Sequence, residues 1–184
     1  MTTEQPQWGP GPWDNEPNRI EFEAAGLRCL MLRHMRFGHW CGYVRVGDDH
    51  PWNGMCYSDR IEKPPADLVH RPVNMDSVGV INFFIAALEG VDLEQQCTLS
   101  MLIDAHCGLT WAGSGPEDGA DGWWFGFDCN HCDDLSPGMD AIMSKFNFPI
   151  MGDRVYRDAA YVRSITESVA RQLASVQIRE QAHE

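Results

Sequence analysis

The C-terminal stretch from Asp153 onward places the tightest constraint on what this chain can fold into. Val155, Ala159, Val162, Ile165, Val169, Leu173 and Val176 recur in steps of three and four, the spacing that lines one face of an α-helix. Asp153, beside Gly152, occupies the N-cap position, and the pattern predicts a helix over 153–180. A stripe this long needs an apolar surface to cover it, and the chain upstream offers strands rather than a second long helix. The expectation is therefore an α+β fold: a single domain with a mainly antiparallel sheet and the long amphipathic C-terminal helix packed on one face.

The strands are read from alternation. Arg19 to Glu23 places Ile20 and Phe22 on one face, and Leu27 to Leu32 follows after Ala24-Ala25-Gly26. Trp40, Cys41, Tyr43, Val44 and Val46 suit a pleated surface, and the turn-rich segment from Gly47 to Gly54 ends that strand. Gly122 to Cys129 is the strongest strand, with Trp123, Phe125, Phe127 and Cys129 on one face and Trp124, Gly126 and Asp128 on the other. Leu99 to His106 also alternates, placing Asp104 and His106 together, and Leu109 to Trp111 continues it. Residues 112–121 form a Gly-rich loop, so 99–112 is expected to fold back on 122–129 as a hairpin.

Residues 1–18 hold Pro6, Pro10, Pro12 and Pro17, which exclude a helix and imply an extended arm, stapled to the domain 19–184 by Trp8 and Trp13. Residues 56–72 read as a surface loop. Asn74 or Asp76 caps a helix that ends at Gly90.

Composition bounds the function. A formal charge of −13, from 14 Lys and Arg against 27 Asp and Glu, argues against nucleic-acid backbone binding, which needs cations to displace phosphate counterions. It also argues against docking on an anionic membrane. No apolar run approaches the roughly 20 residues of a membrane span, and Met1 to Gln7 lacks the basic and apolar regions of a signal peptide. The expected location is the cytoplasm, where the seven cysteines are reduced thiols, metal ligands or catalytic groups.

Histidines, thiols and carboxylates concentrate in 104–108 and 127–134. Asp104 falls two residues from His106 on one strand face, placed to orient its imidazole. Cys129-x-x-Cys132 is the knuckle spacing of zinc proteins, and His106 or Cys107 completes a four-donor set with it and His131. The same residues also assemble a cysteine nucleophile: Cys129 or Cys107, with His106 or His131 as base and Asp104 or Asp128 as orienter. Trp124 is a candidate pocket floor. Against these stands a plain structural role. Cys29, Cys41, Cys56 and Cys97 read as small hydrophobes, and His34, His50, His70 and His183 as surface or hydrogen-bonded side chains.

Several blocks resemble a family of small uncharacterised proteins encoded by tailed phages and prophages: Cys41-Gly42-Tyr43-Val44, His50-Pro51-Trp52-Asn53-Gly54, His106 to Trp111, Trp123 to His131, and Tyr156-Arg157 with Tyr161-Val162. The family pattern reads approximately GYV, GHPxxG, HGGLTY, WWFGFDCAHxGD, then a C-terminal helix. An insertion separates Cys56 from about Leu99. The matching polar residues are His50, His106, Asp128, Cys129, His131 and Asp134. Cys107 stands where the pattern has glycine, and Cys132 where it has a small residue, which would make the knuckle spacing incidental. The resemblance implies a phage accessory protein of the host cytosol, dispensable for virion structure, with a pocket of His106, Asp128, Cys129 and His131, joined by His50. No activity comes with the resemblance; the residues themselves leave open binding of a metal ion such as zinc or a small ligand, a small Cys/His- or metal-dependent hydrolase, or an acidic protein that blocks a host protein.

Overall fold

A computed structural model of the chain describes residues 8–62, 64, 65, 68, 97–118, 120–147 and 152–181. Strands β1 (Arg19–Ala24), β2 (Leu27–Arg33), β3 (Trp40–Val46), β6 (Trp111–Gly113) and β7 (Trp123–Asp128) form one antiparallel sheet in the order β1-β2-β3-β7-β6. The short strands β4 (Arg60–Ile61) and β5 (Cys97–Thr98) pair with each other, and the helices are α1 (Leu99–Leu102), α2 (Pro137–Lys145) and α3 (Ala159–Gln181). The α+β architecture read from periodicity is the one observed. None of the described helices is long and apolar enough to cross a membrane.

Alternation sets which face each strand buries. The β1–β2 turn has Ala25 at φ 51° and Gly26 at φ 77°, the left-handed pair that matches the twist of a two-residue hairpin. On the helix-bearing face lie Leu27, Cys29 and Met31 of β2, Trp40, Val44 and Val46 of β3, and Phe125 and Phe127 of β7, all buried. From α3, Val162, Val169, Ala170, Leu173 and Val176 pack onto them. Each buried Val or Leu contributes about 1.5–3 kcal/mol. Gly42 lets helix and sheet approach closely, because a Cβ there would stand 2.4 Å from Thr166 Oγ1. Thr166 in turn satisfies its buried hydroxyl on Val162 O at 2.8 Å.

Three expectations are corrected. Helix α3 starts at Ala159, not Asp153, and its cap is Asp158, whose Oδ1 accepts from Tyr161 N at 2.8 Å. Residues 153–157 are drawn off into a parallel bridge: Val155 N donates to Asp133 O and Leu135 N to Val155 O, both at 2.9 Å. Val155 is accordingly 52% exposed rather than part of the stripe.

The strand expected over Leu99–His106 is instead the short helix α1 followed by a turn. Leu99, Leu102 and Ile103 are all buried, and their i, i+3, i+4 spacing suits a helical turn better than alternation. The hairpin with β7 survives only over Trp111–Gly113.

In the proline-rich arm, Pro12–Asn15 forms a single 3-10 turn, with proline in the first-turn position that has no need of an N–H. Trp8 Nε1 donates to Arg36 O at 3.1 Å, and Trp13 meets the Tyr156 ring edge-on. The helix expected between Asn74 and Gly90 lies outside the described residues.

Candidate functional site

Strand β7 ends at Asp128, and Cys129 N continues its pairing with β3 by donating to Trp40 O at 3.0 Å. The chain then turns. Asp128 Oδ1 accepts from Asn130 N at 3.0 Å, while its Oδ2 accepts from Thr110 Oγ1 at 2.8 Å. Ser136 Oγ closes the loop on Asn130 Oδ1 at 2.7 Å, and the Asp134–Val155 bridge anchors its far side. Held at both ends, the loop directs Asp134 inward, where its side chain is 1% exposed.

The second part of the site is the turn after α1. Gly108 N donates to Ala105 O at 3.2 Å, and Cys107 and Gly108 both take left-handed backbone at φ 57° and 86°. For cysteine that conformation is strained. Buried Ala105 and Leu109 anchor the turn. From α3, Gln172 clamps the backbone of Asp104, accepting from its N at 2.8 Å and donating to its O at 2.9 Å.

Asp134 joins these parts. Its Oδ2 lies 2.7 Å from His106 Nε2, 3.0 Å from His131 N and 3.4 Å from His131 Nδ1. Its Oδ1 accepts from Arg157 Nε at 2.9 Å. Burial opposes ionisation of this carboxyl, but the hydrogen bonds from His106 and His131, with Arg157, hold it well below the usual carboxylate range. The Asp134 carboxylate first, then the neighbouring Cys107 thiol, pushes His131 up to about 10. The His106 Nε2–H points at the Asp134 carboxylate, and on the other side of the ring Nδ1 lies 3.0 Å from Tyr161 OH. Arg157 lies over the Tyr161 ring, 4.9 Å from its centroid.

Among the described residues, His106, Cys107 and His131 bring one donor atom each within 4.8 Å of one another. A tetrahedral zinc with bonds of about 2.0–2.3 Å spaces its donors about 3.5 Å apart, so adjustments of about an ångström fit the set to an ion. The arrangement can hold a metal.

The set differs from the one the knuckle spacing suggested, because Cys107 stands in for Cys129 and Cys132. Cys129 is 1% exposed in the core. Burial first, then the charges of Asp134, Cys41 and Asp128, pushes its thiol well above the ordinary value, which makes it a poor nucleophile or ligand. Cys132 is exposed on the loop.

The other predicted residues are placed as follows. The carboxylate that orients His106 is Asp134, not Asp104. Asp104 is exposed, and the contact that ties it to α3 is through its backbone. Asp128 braces the loop. His50 is buried, with Nε2 3.1 Å from Leu173 O and Nδ1 accepting from Trp52 N at 3.1 Å. Leu173 lies about 18 Å along α3 from Tyr161, so His50 stays outside the cluster. Trp124 is buried, with its Nε1 on Asp121 O at 2.8 Å and Arg28 over its ring; it braces the loop before β7.

Sequence reasoning missed Tyr161, Arg157 and the role of Asp134. All three fall in blocks or positions already singled out in the sequence, and that was the available signal. Behind the loop, His39 is 6% exposed with Nδ1 unpartnered among the described residues. Burial pushes it down to about 4.

The chain matches no family model, no curated protein and no solved structure.

Proposed function

We propose that the protein binds one divalent metal ion of the zinc class on His106, Cys107 and His131, and acts as an accessory protein of a phage or prophage in the host cytosol. The observation that carries the metal reading is the convergence of these donors in front of one buried carboxylate that reaches both imidazoles. Metal-bound histidines commonly donate their second ring N–H to such a carboxylate, which fixes the tautomer and aims the free nitrogen. Asp134 does this for His106 through Nε2 and for His131 through Nδ1, leaving His106 Nδ1 and His131 Nε2 for the ion. Two imidazoles and a thiolate suit zinc and exclude magnesium or calcium, which prefer oxygen. Three protein donors leave a fourth position for water or a ligand.

The phage assignment rests on the shared sequence blocks. It is supported by the left-handed backbone at position 107, where the family pattern carries glycine, the residue that suits this conformation.

Elemental analysis of protein purified without chelator, followed by cobalt substitution, tests the reading. The expected result is about one ion per chain, with a thiolate-to-cobalt charge-transfer band that Cys107→Ser removes and Cys132→Ser leaves intact. Absence of stoichiometric metal, or a band that survives Cys107→Ser, overturns the site.

One observation favours a second reading. The Cys107 thiol lies within 4.8 Å of a His131 ring nitrogen, and His131 Nδ1 lies 3.4 Å from Asp134 Oδ2, the order of groups in cysteine hydrolases. Metal-free protein in which one thiol, Cys107, alkylates far faster than the rest would support it.

A further inference from the structure

Around the three donors, hydrogen bonds and ring contacts form a closed circuit. His106 Nε2 meets Asp134 Oδ2, Asp134 Oδ1 meets Arg157 Nε, the Arg157 guanidinium lies over the Tyr161 ring, and Tyr161 OH returns to His106 Nδ1. Two groups in this circuit keep unused capacity. Arg157 bonds only through Nε, so among the described residues its two terminal amino groups have no partner, although its side chain is only 26% exposed. Tyr161 OH has His106 Nδ1 as its partner, and that is the nitrogen the ion would take.

We infer that the metal centre is built to receive a small oxyanion, a phosphate or carboxylate group, bound jointly by the open coordination position, the terminal N–H groups of Arg157 and the hydroxyl of Tyr161. The inference rests on the proposed metal site and adds the chemical class of its ligand.

The physical case is one of placement and charge. A chain of net charge −13 repels anions, so an anion is captured only where cations are fixed locally. Asp134 fixes Arg157 through one nitrogen and keeps the planar fork free, the part of the side chain that recognises carboxylate or phosphate. When His106 Nδ1 turns to a metal, the Tyr161 hydroxyl loses its acceptor and becomes a donor toward whatever the metal carries. Stacking on Arg157 holds the Tyr161 ring in place for that task. Arg163, also on α3, lacks this arrangement: it pairs with Glu167 at 3.0 Å and covers Phe22.

The test uses the full chain loaded with cobalt, with inorganic phosphate and acetate titrated separately while the cobalt d–d spectrum is recorded. Saturable spectral change is expected. A response to phosphate alone assigns a tetrahedral phosphoryl ligand, and a response to acetate alone or equally assigns a carboxylate. Arg157→Met should weaken the binding by about tenfold to a hundredfold, the scale of a lost charge-assisted contact, while Arg163→Met leaves it unchanged. Arg157→Lys, which keeps the ion pair with Asp134 and loses the fork, guards against a folding failure and should also weaken it. A loaded centre with an intact thiolate band but no response to either anion refutes this inference and leaves the metal reading standing. Equal affinity in wild type, Arg157→Met and Arg157→Lys also refutes it. Failure to load cobalt at all removes the metal reading first and this inference with it.

Discussion

Cys107→Gly should move stability in opposite directions with and without metal. The residue sits at φ 57°, where a side chain costs about 1–2 kcal/mol relative to right-handed backbone. Glycine removes that strain but adds about 0.5–1 kcal/mol of unfolded-state freedom. The metal-free variant should therefore unfold at the wild-type free energy or up to about 1.5 kcal/mol above it, a rise of a few degrees at most. Zinc at a hundredfold over its dissociation constant should stabilise the wild type by about 2.7 kcal/mol. Without the thiolate that increment should fall below about 1 kcal/mol. Urea unfolding under reducing conditions, with chelator and with excess zinc, gives both numbers, and Cys107→Ala separates strain from ligation because it keeps the strained backbone without the thiol. A metal-free loss above about 1 kcal/mol would make the thiol a packing residue. Retention of the zinc increment in both variants would falsify its role as a ligand.

Asp134→Asn should cost about 3–5 kcal/mol, the usual result of stripping a buried charge of its partner, and should weaken metal binding about 10- to 100-fold; chemical denaturation and cobalt titration read the two effects. His39 is held neutral, with its pKa lowered from 6.5 to about 4, so the unfolded chain takes up a proton first as pH falls through 6.5. Stability carried by this group is full above pH 6.5 and drains away down to about 4, a loss of about 2 kcal/mol by pH 5; His39→Phe should remove that share of the wild-type slope, and an unchanged slope would clear His39 of the effect. Gly42→Ala should destabilise by about 1–3 kcal/mol or more, because its Cβ would meet Thr166 Oγ1 and the Phe127 ring at 2.4 and 2.6 Å; a silent substitution in urea melts would show that α3 can lift off β3 freely. Native alkylation followed by peptide mapping should label exposed Cys56 and Cys132 and half-buried Cys107, and spare Cys29, Cys41, Cys97 and Cys129, with zinc protecting Cys107 alone.

The strands were legible because their residues alternate: Trp123, Phe125 and Phe127 fall on one face and Trp124, Gly126 and Asp128 on the other, whereas the pairing of β7 with β3 was not read from that pattern. The apolar steps from Ala159 onward likewise announce α3. Cys107 was named as a candidate, but its placement beside His106 was not legible, for a geometric reason. In a strand, His106 and Cys107 would point to opposite faces, so alternation separates the two residues that a left-handed turn brings together. Asp104 looked like the partner of His106 because it is two residues away, whereas Asp134 is 28 residues downstream and reaches the histidine only because Val155 pins its loop. That pin also explains the misplaced helix start. A short bridge uses the backbone of 155 before helical hydrogen bonds can form, and no local propensity announces it.

Two buried or half-buried carboxylates divide the segment that enters α3 between them, which ties the N-terminal arm to the site. Glu16 accepts from Arg33 and Tyr156, both at 2.6 Å, from Trp40 at 3.1 Å and from Ala159 N at 2.8 Å. Burial opposes its ionisation, yet these hydrogen bonds lower its pKa on balance. One residue past Tyr156, Arg157 turns the other way to Asp134, and Tyr161 stands two positions beyond Ala159. The position of the Arg157–Tyr161 pair is therefore set from both sides, by the arm through Glu16 and by the metal cluster through Asp134. If Glu16 were replaced by Gln, the first turn of α3 would lose a charged acceptor at Ala159 N, and buried Arg33 would be left without its counter-ion. The consequence at the cluster would be indirect. Metal affinity should fall far less than in Asp134→Asn, whereas oxyanion affinity, which depends on where Arg157 and Tyr161 stand, should fall with the disorder of the arm.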